Sequence, residues 1–194
     1  MFLGFRAQHI DHYRYYEQVI KSGERGKWRN EWARFCEDLS SADIGCTGMR
    51  ILDISGEPGF FALDALNSGS EVIVTAFADN VTRAMTDYLK LQAVTYDFQD
   101  KNLVSTVPQQ FDMVAIRYAI GFCESLQDFV EEISAVLRPG GYVYVSFSPS
   151  SRAVCARWMF DDYTYLRQWD LNYLSETFLA RGYEAVTRIH KGSY

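Results

Sequence analysis

Carboxylates and bare backbone alternate in the stretch Met49 to Leu63, MRILDISGEPGFFAL, a combination suited to holding a nucleotide-like ligand. Asp53 stands near the carboxyl end of an apolar run, and Gly56, Pro58 and Gly59 break the chain before the helical FFALDAL begins. A ligand can lie against backbone at such a turn. An acidic side chain binds its polar groups, and the helix N-terminus favours an anionic one. Further polar residues close later apolar runs: Asp79 and Asn80 after SEVIVTAF, Asp97 within AVTYDF, and Arg117 and Tyr118 at the end of FDMVAIRY.

These residues need a scaffold, and the apolar pattern describes one. Ile51, Leu52 and Ile54 read as a strand covered on both faces. Residues 70–77 form a second strand, followed by a helix near Asn80 to Leu91; AVTYDF forms a third ending at Asp97, and FDMVAIRY a fourth from Phe111. Leu126, Phe129, Val130, Ile133, Val136 and Leu137 recur at helical spacing before the stop Arg138-Pro139-Gly140-Gly141 and a fifth strand, YVYVSF. Alternating strands and helices in 194 residues predict a single α/β domain, a doubly wound, mostly parallel sheet flanked by helices. Residues 1–47 form an N-terminal helical cap, 48–147 the cofactor-binding core, and 148–194 a substrate-side segment with a final helix and strand.

Two ligand classes compete for the glycine turn. A dinucleotide site wants Gly-x-Gly-x-x-Gly without an acid locked into the strand end, whereas this chain offers an acid ahead of Gly-x-Pro-Gly. The turn, the segments after it in order, and the block AVLRPGGYVYVSF resemble the class I, Rossmann-like S-adenosylmethionine-dependent methyltransferases over about residues 49 to 147. The resemblance implies that Asp53, Ser55, Gly56, Glu57 and Gly59 hold the methionine portion of S-adenosylmethionine. Ser55 and Glu57 depart from the glycines usual there, and the Glu57 carboxylate either faces the ligand ammonium or lies in solvent. The family's acid at the end of the second strand is missing, since Ala76 or Ala78 occupies its place. Asp79 is the nearest substitute as ribose ligand, with Asn80 either beside it or capping the helix that follows. Asp97 matches the acid that accepts the adenine amino group, with a plain turn residue as its alternative, and Phe98 packs either on the purine or in the core. Arg117 either contacts the ligands or pairs with Glu124 or a sheet-end carboxylate, and Tyr118 borders the space between cofactor and acceptor.

Methyl transfer asks mainly for alignment and exclusion of water, with a general base where the acceptor is a hydroxyl of high pKa. His12, in HIDHYRYYEQVI, is the candidate base if the N-terminal segment folds over the cofactor, with a surface histidine as its alternative. Tyr13 and Tyr16 line the pocket or pack. Trp28, Trp32, Phe35 and Leu39 fall on one helical face that docks on the sheet. After the fifth strand, Trp158, Phe160, Tyr163, Tyr165 and Trp169 gather with Asp161 and Asp162 where the family commonly places acceptor-binding elements, with Trp158 and Tyr163 the chosen substrate contacts. Such aromatics suit sugars, phenols or other flat molecules, a protein interface, or the core. No Asp/Asn-Pro-Pro-aromatic motif is present, which argues against amino methylation of DNA or protein.

A formal charge of -6 and no basic tract exclude a polyanion-binding surface, so no nucleic acid is expected. The N-terminus has neither a charged leader nor a long apolar stretch, so no membrane span is expected and the cytoplasm fits. Cys36, Cys46, Cys123 and Cys155 contain no C-x-x-C pair and predict reduced thiols, without a metal site or a disulfide framework. Helix LNYLSETFLARG stops at Gly182, YEAVTRIH reads as a sixth strand, and the antiparallel seventh strand of the family does not follow. A partner subunit or the N-terminal segment closes that edge, or the polypeptide is a shortened one; the expectation is a homodimer. The expected activity is methylation of a small molecule, at oxygen rather than nitrogen, yielding S-adenosylhomocysteine. The alternative is a non-catalytic binding or assembly module whose cofactor pocket has degenerated.

Overall fold

The computed structural model describes residues 13–147 and 169–186. Its five strands are β1 (Arg50–Ile54), β2 (Glu71–Ala76), β3 (Gln92–Thr95), β4 (Phe111–Arg117) and β5 (Leu137–Ser146). They lie in the order β3-β2-β1-β4-β5, with every pairing parallel. The helices are α1 over residues 13–22, α2 (Glu31–Ser40), α3 (Phe60–Asn67), α4 (Asp79–Leu89), α5 (Leu103–Thr106), α6 (Leu126–Val136) and α7 (Leu171–Leu179). This is the doubly wound parallel sheet expected. Its strand order reverses between β1 and β4, which opens a crevice outside their carboxyl ends.

Side chains alternate across a strand, and the alternation sorts the core into two layers. Leu52, Ile54, Ile73, Val114 and Ile116 pack beneath α6 and α7. Ile51, Val72, Val74, Met113 and Ala115 pack beneath α2, α3 and α4. Each large aliphatic side chain fully buried in this way contributes roughly 1.5–3 kcal/mol. Asp53 and Arg117 continue the second set by parity. Asp53 pairs with Ala115 across the ladder, so Arg117, two residues on, is its diagonal neighbour on the same face.

Several local expectations need correcting. Asn80 is not a helix cap: α4 begins at Asp79 and Ala78 holds the capping position without a side-chain bond, while the Asn80 amide donates to Glu17 Oε2 at 3.3 Å. Trp28 lies in a short 3-10 turn, Gly26–Trp28, ahead of α2, although it packs against Phe60 in the same aromatic layer. The segment Arg138–Gly141 bulges within β5, because Phe111 pairs with Leu137 and the next pair is Met113 with Tyr142. Residues 183–186 carry no strand, and the rest of YEAVTRIH lies outside the described residues. Among the described residues no helix is long and apolar enough to cross a membrane.

The thiol expectation is overturned by a disulfide between Cys36 of α2 and Cys46, with Cα atoms 5.3 Å apart. Backbone bonds fold the chain back after α2, Ile44 N–H reaching Leu39 O at 3.0 Å, and this return brings together two cysteines that no short motif links. The cytoplasmic assignment loses the support it drew from reduced thiols. Replacing both by serine is expected to lower unfolding free energy in urea by about 2–3 kcal/mol, the chain-entropy value for so short a loop. Reductant should reproduce that loss in the parent chain and change nothing in the double variant.

Candidate functional site

The turn after β1 is shaped by packing from below. Gly56 N–H bonds to Thr75 O at 2.9 Å, and Ser55 N–H to the Thr75 hydroxyl at 3.0 Å, so the turn is sewn to β2. A Cβ on Gly56 would fall 2.1 Å from Asp53 Oδ2, which only glycine avoids. Gly59 enters α3 with φ of 88°, and a Cβ there would crowd Met85 Sδ at 2.8 Å. Both glycines therefore let the turn settle onto buried side chains.

Asp53 is fully buried, and its partner is Arg117. The guanidinium donates through Nε to Oδ1 at 3.1 Å and through Nη2 to Oδ2 at 3.0 Å, the fork geometry of a bidentate pair. Its Nη1 donates to Glu31 of α2, and its Cζ lies 4.1 Å from the ring centre of Phe61. Burial pushes the Asp53 and Glu31 carboxyls up, with Arg117 opposing it in each case. Burial acts to lower the Arg117 pKa, but the two carboxylates override it and raise the value, so the cation is held charged. Of the alternatives open for Arg117, the structure realises pairing with a sheet-end carboxylate. Glu31 was not foreseen, since nothing local in the sequence marks a contact spanning 86 positions.

Other groups ring this floor. The half-buried Glu57 accepts Phe77 N–H at 2.9 Å, linking the turn to the exit of β2, and burial pushes its carboxyl up to about 6. Asp97 is half-buried past β3, with Oδ1 accepting Gln99 N–H at 2.9 Å, while the Gln99 amide donates to Phe122 O at 2.8 Å. Asp79 is exposed at the start of α4 and takes the Thr95 hydroxyl at 2.6 Å. Tyr118 leaves β4 with φ of 59°, its N–H bonded to Ser146 O at 2.7 Å, and is partly exposed. A left-handed tyrosine is a strained one, and such residues cluster at working sites.

The aromatic candidates divide. Phe98 is buried against Tyr96 and Phe129, with ring centres 5.8 and 4.9 Å away, so it belongs to the core. Tyr13 stacks on Phe77 at 5.9 Å, and Tyr16 packs by Trp28 at 6.1 Å. Trp169 is buried and donates from Nε1 to Ile120 O at 2.9 Å, fixing the approach to α7. His12, Trp158 and Tyr163 lie outside the described residues. No group of three or more metal-ligating side chains occurs among the described residues.

Arg117→Met should cost about 3–5 kcal/mol in urea unfolding, because it strands two carboxylates in a buried setting. A loss below about 1 kcal/mol, typical of a surface pair, would contradict this account of the floor.

Residues 52–145 match the family model described as "Methyltransferase domain". An uncharacterized protein of Mycobacterium tuberculosis is 25% identical over 141 residues, 66% of this chain and 51% of that protein. A malonyl-[acyl-carrier protein] O-methyltransferase of Enterobacter lignolyticus is 34% identical over 93 residues, 47% of this chain and 36% of the relative. The chain thus spans about half the length, or less, of these curated relatives. A solved S-adenosylmethionine-dependent methyltransferase from Archaeoglobus fulgidus superposes with TM-score 0.63 at 16% identity, over 82% of this chain and 72% of that one. Glycine turn, strand order and matched domain agree, and residues 52–145 form a methyltransferase domain of class I, Rossmann-like fold.

Proposed function

We propose that the chain is an S-adenosylmethionine-dependent methyltransferase acting on a small-molecule acceptor, at oxygen rather than nitrogen. The carrying observation is the gathering of Glu31, Asp53, Glu57 and Arg117 at the carboxyl ends of β1, β2 and β4, with Asp97 past the end of β3 on the same edge of the sheet, within or beside the matched domain. This donor set fits the cofactor's chemistry. A guanidinium and a carboxylate at β4 and α2 complement an amino-acid carboxylate and ammonium, and Asp97 complements an exocyclic amine. The trio of Asp53, Glu31 and Arg117 carries one surplus negative charge when ionised, which suits a cation nearby.

When bound, S-adenosylmethionine supplies a methyl group activated by a sulfonium. The chain's part is to bind, orient and keep water out. Asp53 acts from beneath, fixing Arg117, while Ser55, Gly56 and Gly59 present backbone at the turn. Tyr118 stands beside the crevice and would hydrogen-bond the acceptor, with Trp158 and Tyr163 as its expected walls and His12 as the expected base. Oxygen as target is supported by the absence of the amino-methylating motif and by the named activity of the Enterobacter relative.

A second reading draws on one observation, that Arg117 seals the first-strand acid: a binding module that keeps the fold with a closed pocket. Calorimetry separates the two. One S-adenosylhomocysteine should bind per chain, and in a separate assay methyl-labelled S-adenosylmethionine should pass its label to a hydroxyl or carboxyl acceptor and leave S-adenosylhomocysteine. No heat at millimolar ligand would overturn the enzyme reading. The proposed assembly is a homodimer, and light scattering that returns the mass of one chain would overturn it.

A further inference from the structure

A glutamate in an open turn ordinarily points to water, but Glu57 reaches sideways to the neighbouring strand. Its Oε1 accepts Phe77 N–H at 2.9 Å, a contact spanning 20 positions, so the carboxylate of the β1 turn lies at the exit of β2. The β2 exit has no long side chain of its own on either side of Phe77: Ala76 ends the strand and Ala78 precedes α4. Asp79, the next acid, is turned away onto the Thr95 hydroxyl at 2.6 Å. The carboxylate serving the β2 exit therefore comes from the turn, where a glycine-rich loop would offer none.

A carboxylate has two oxygens and about four acceptor positions. Phe77 N–H occupies one of them, and the backbone N–H of Glu57 itself also stabilises the charge. The neighbouring cation, Arg117, is committed to Asp53 and Glu31. What remains is acceptor capacity in a half-buried crevice, beside a backbone turn, which suits a ligand bringing two neutral O–H donors close together. We propose that Glu57 accepts the ribose hydroxyls of the adenosyl ligand, in place of an acid on β2. The assignment rests on the cofactor reading above and adds to it the residue that distinguishes a ribose from a deoxyribose. The charged groups acting on Glu57 are Asp53 of β1, which disfavours its ionisation, and Arg117 of β4, which favours it.

Calorimetry on the full chain with S-adenosylhomocysteine and with its 2′-deoxy analogue tests this. Glu57→Gln keeps an oxygen for Phe77 N–H and removes the charge, so its unfolding temperature serves as the folding control. The variant should bind S-adenosylhomocysteine about tenfold or more weakly near neutral pH. The 2′-deoxy analogue should lose affinity for the parent chain and little further for the variant. Because the ligand needs the ionised carboxylate, parent affinity should fall as pH is lowered from about 7.5 through 6 to about 5, while the variant's stays level. A parent chain that binds both ligands equally, or a folded variant that binds as tightly as the parent, overturns the Glu57 assignment alone. A parent chain that binds neither overturns the cofactor reading itself.

Discussion

One guanidinium between two carboxylates settles the floor of the crevice. Arg117 meets Asp53 because strand parity puts both on the same face of neighbouring strands, and it meets Glu31 because α2 packs over that face. Taking these charges out of water costs several kcal/mol per ion, which a fork-shaped bidentate contact and a third charged partner offset. The exits of β1 and β4 are thereby tied together, and so is α2, whose Asp38 also accepts the Tyr144 hydroxyl of β5 at 2.9 Å. A change at Arg117 reaches the sheet, the helix and the turn at once.

That settlement reallocates roles among the acids. A carboxylate whose two oxygens are both engaged by a buried guanidinium positions its partner rather than grasping a ligand. Asp53 is such a group. Asp97 and Glu57 sit nearer the surface, each with one oxygen held by a backbone N–H, an arrangement that orients a carboxylate without exhausting it. Under the proposed cofactor reading, recognition on the β2 and β3 side would fall to these two, while the β1 and β4 side presents a fixed cation flanked by surplus negative charge.

The sheet was legible because covered parallel strands are written as short apolar runs: Ile51 to Ile54, Val72 to Ala76 and Met113 to Ile116. The turn was legible because its glycines are local. Contacts joining distant positions left no such trace. Glu31 looks like any first-turn helix acid, and Cys36 and Cys46 are separated by a spacing that carries no motif. Aromatic residues were ambiguous for a different reason. Phe98 follows a strand-end acid, as a purine platform would, yet two rings, Tyr96 just past β3 and Phe129 of α6, pack around it. Composition cannot tell a ring that packs from one that waits for a ligand. Asn80 misled because its type suits a cap while Ala78 has the extended backbone that a cap requires.

The burial of Glu57 is the least economical feature of the crevice. Its carboxyl is pushed up to about 6 chiefly by burial, with the nearby Asp53 charge adding to it. A carboxyl whose folded pKa lies above its ordinary value binds protons more strongly in the folded state. Folding is therefore favoured below that ordinary value and loses ground as pH rises through 6. At neutral pH the chain holds an ionised glutamate where a neutral side chain would serve the fold better. Stability alone does not select such a residue at this turn, whereas the proposed ligand, by bringing hydroxyl donors to it, would recover what burial removes.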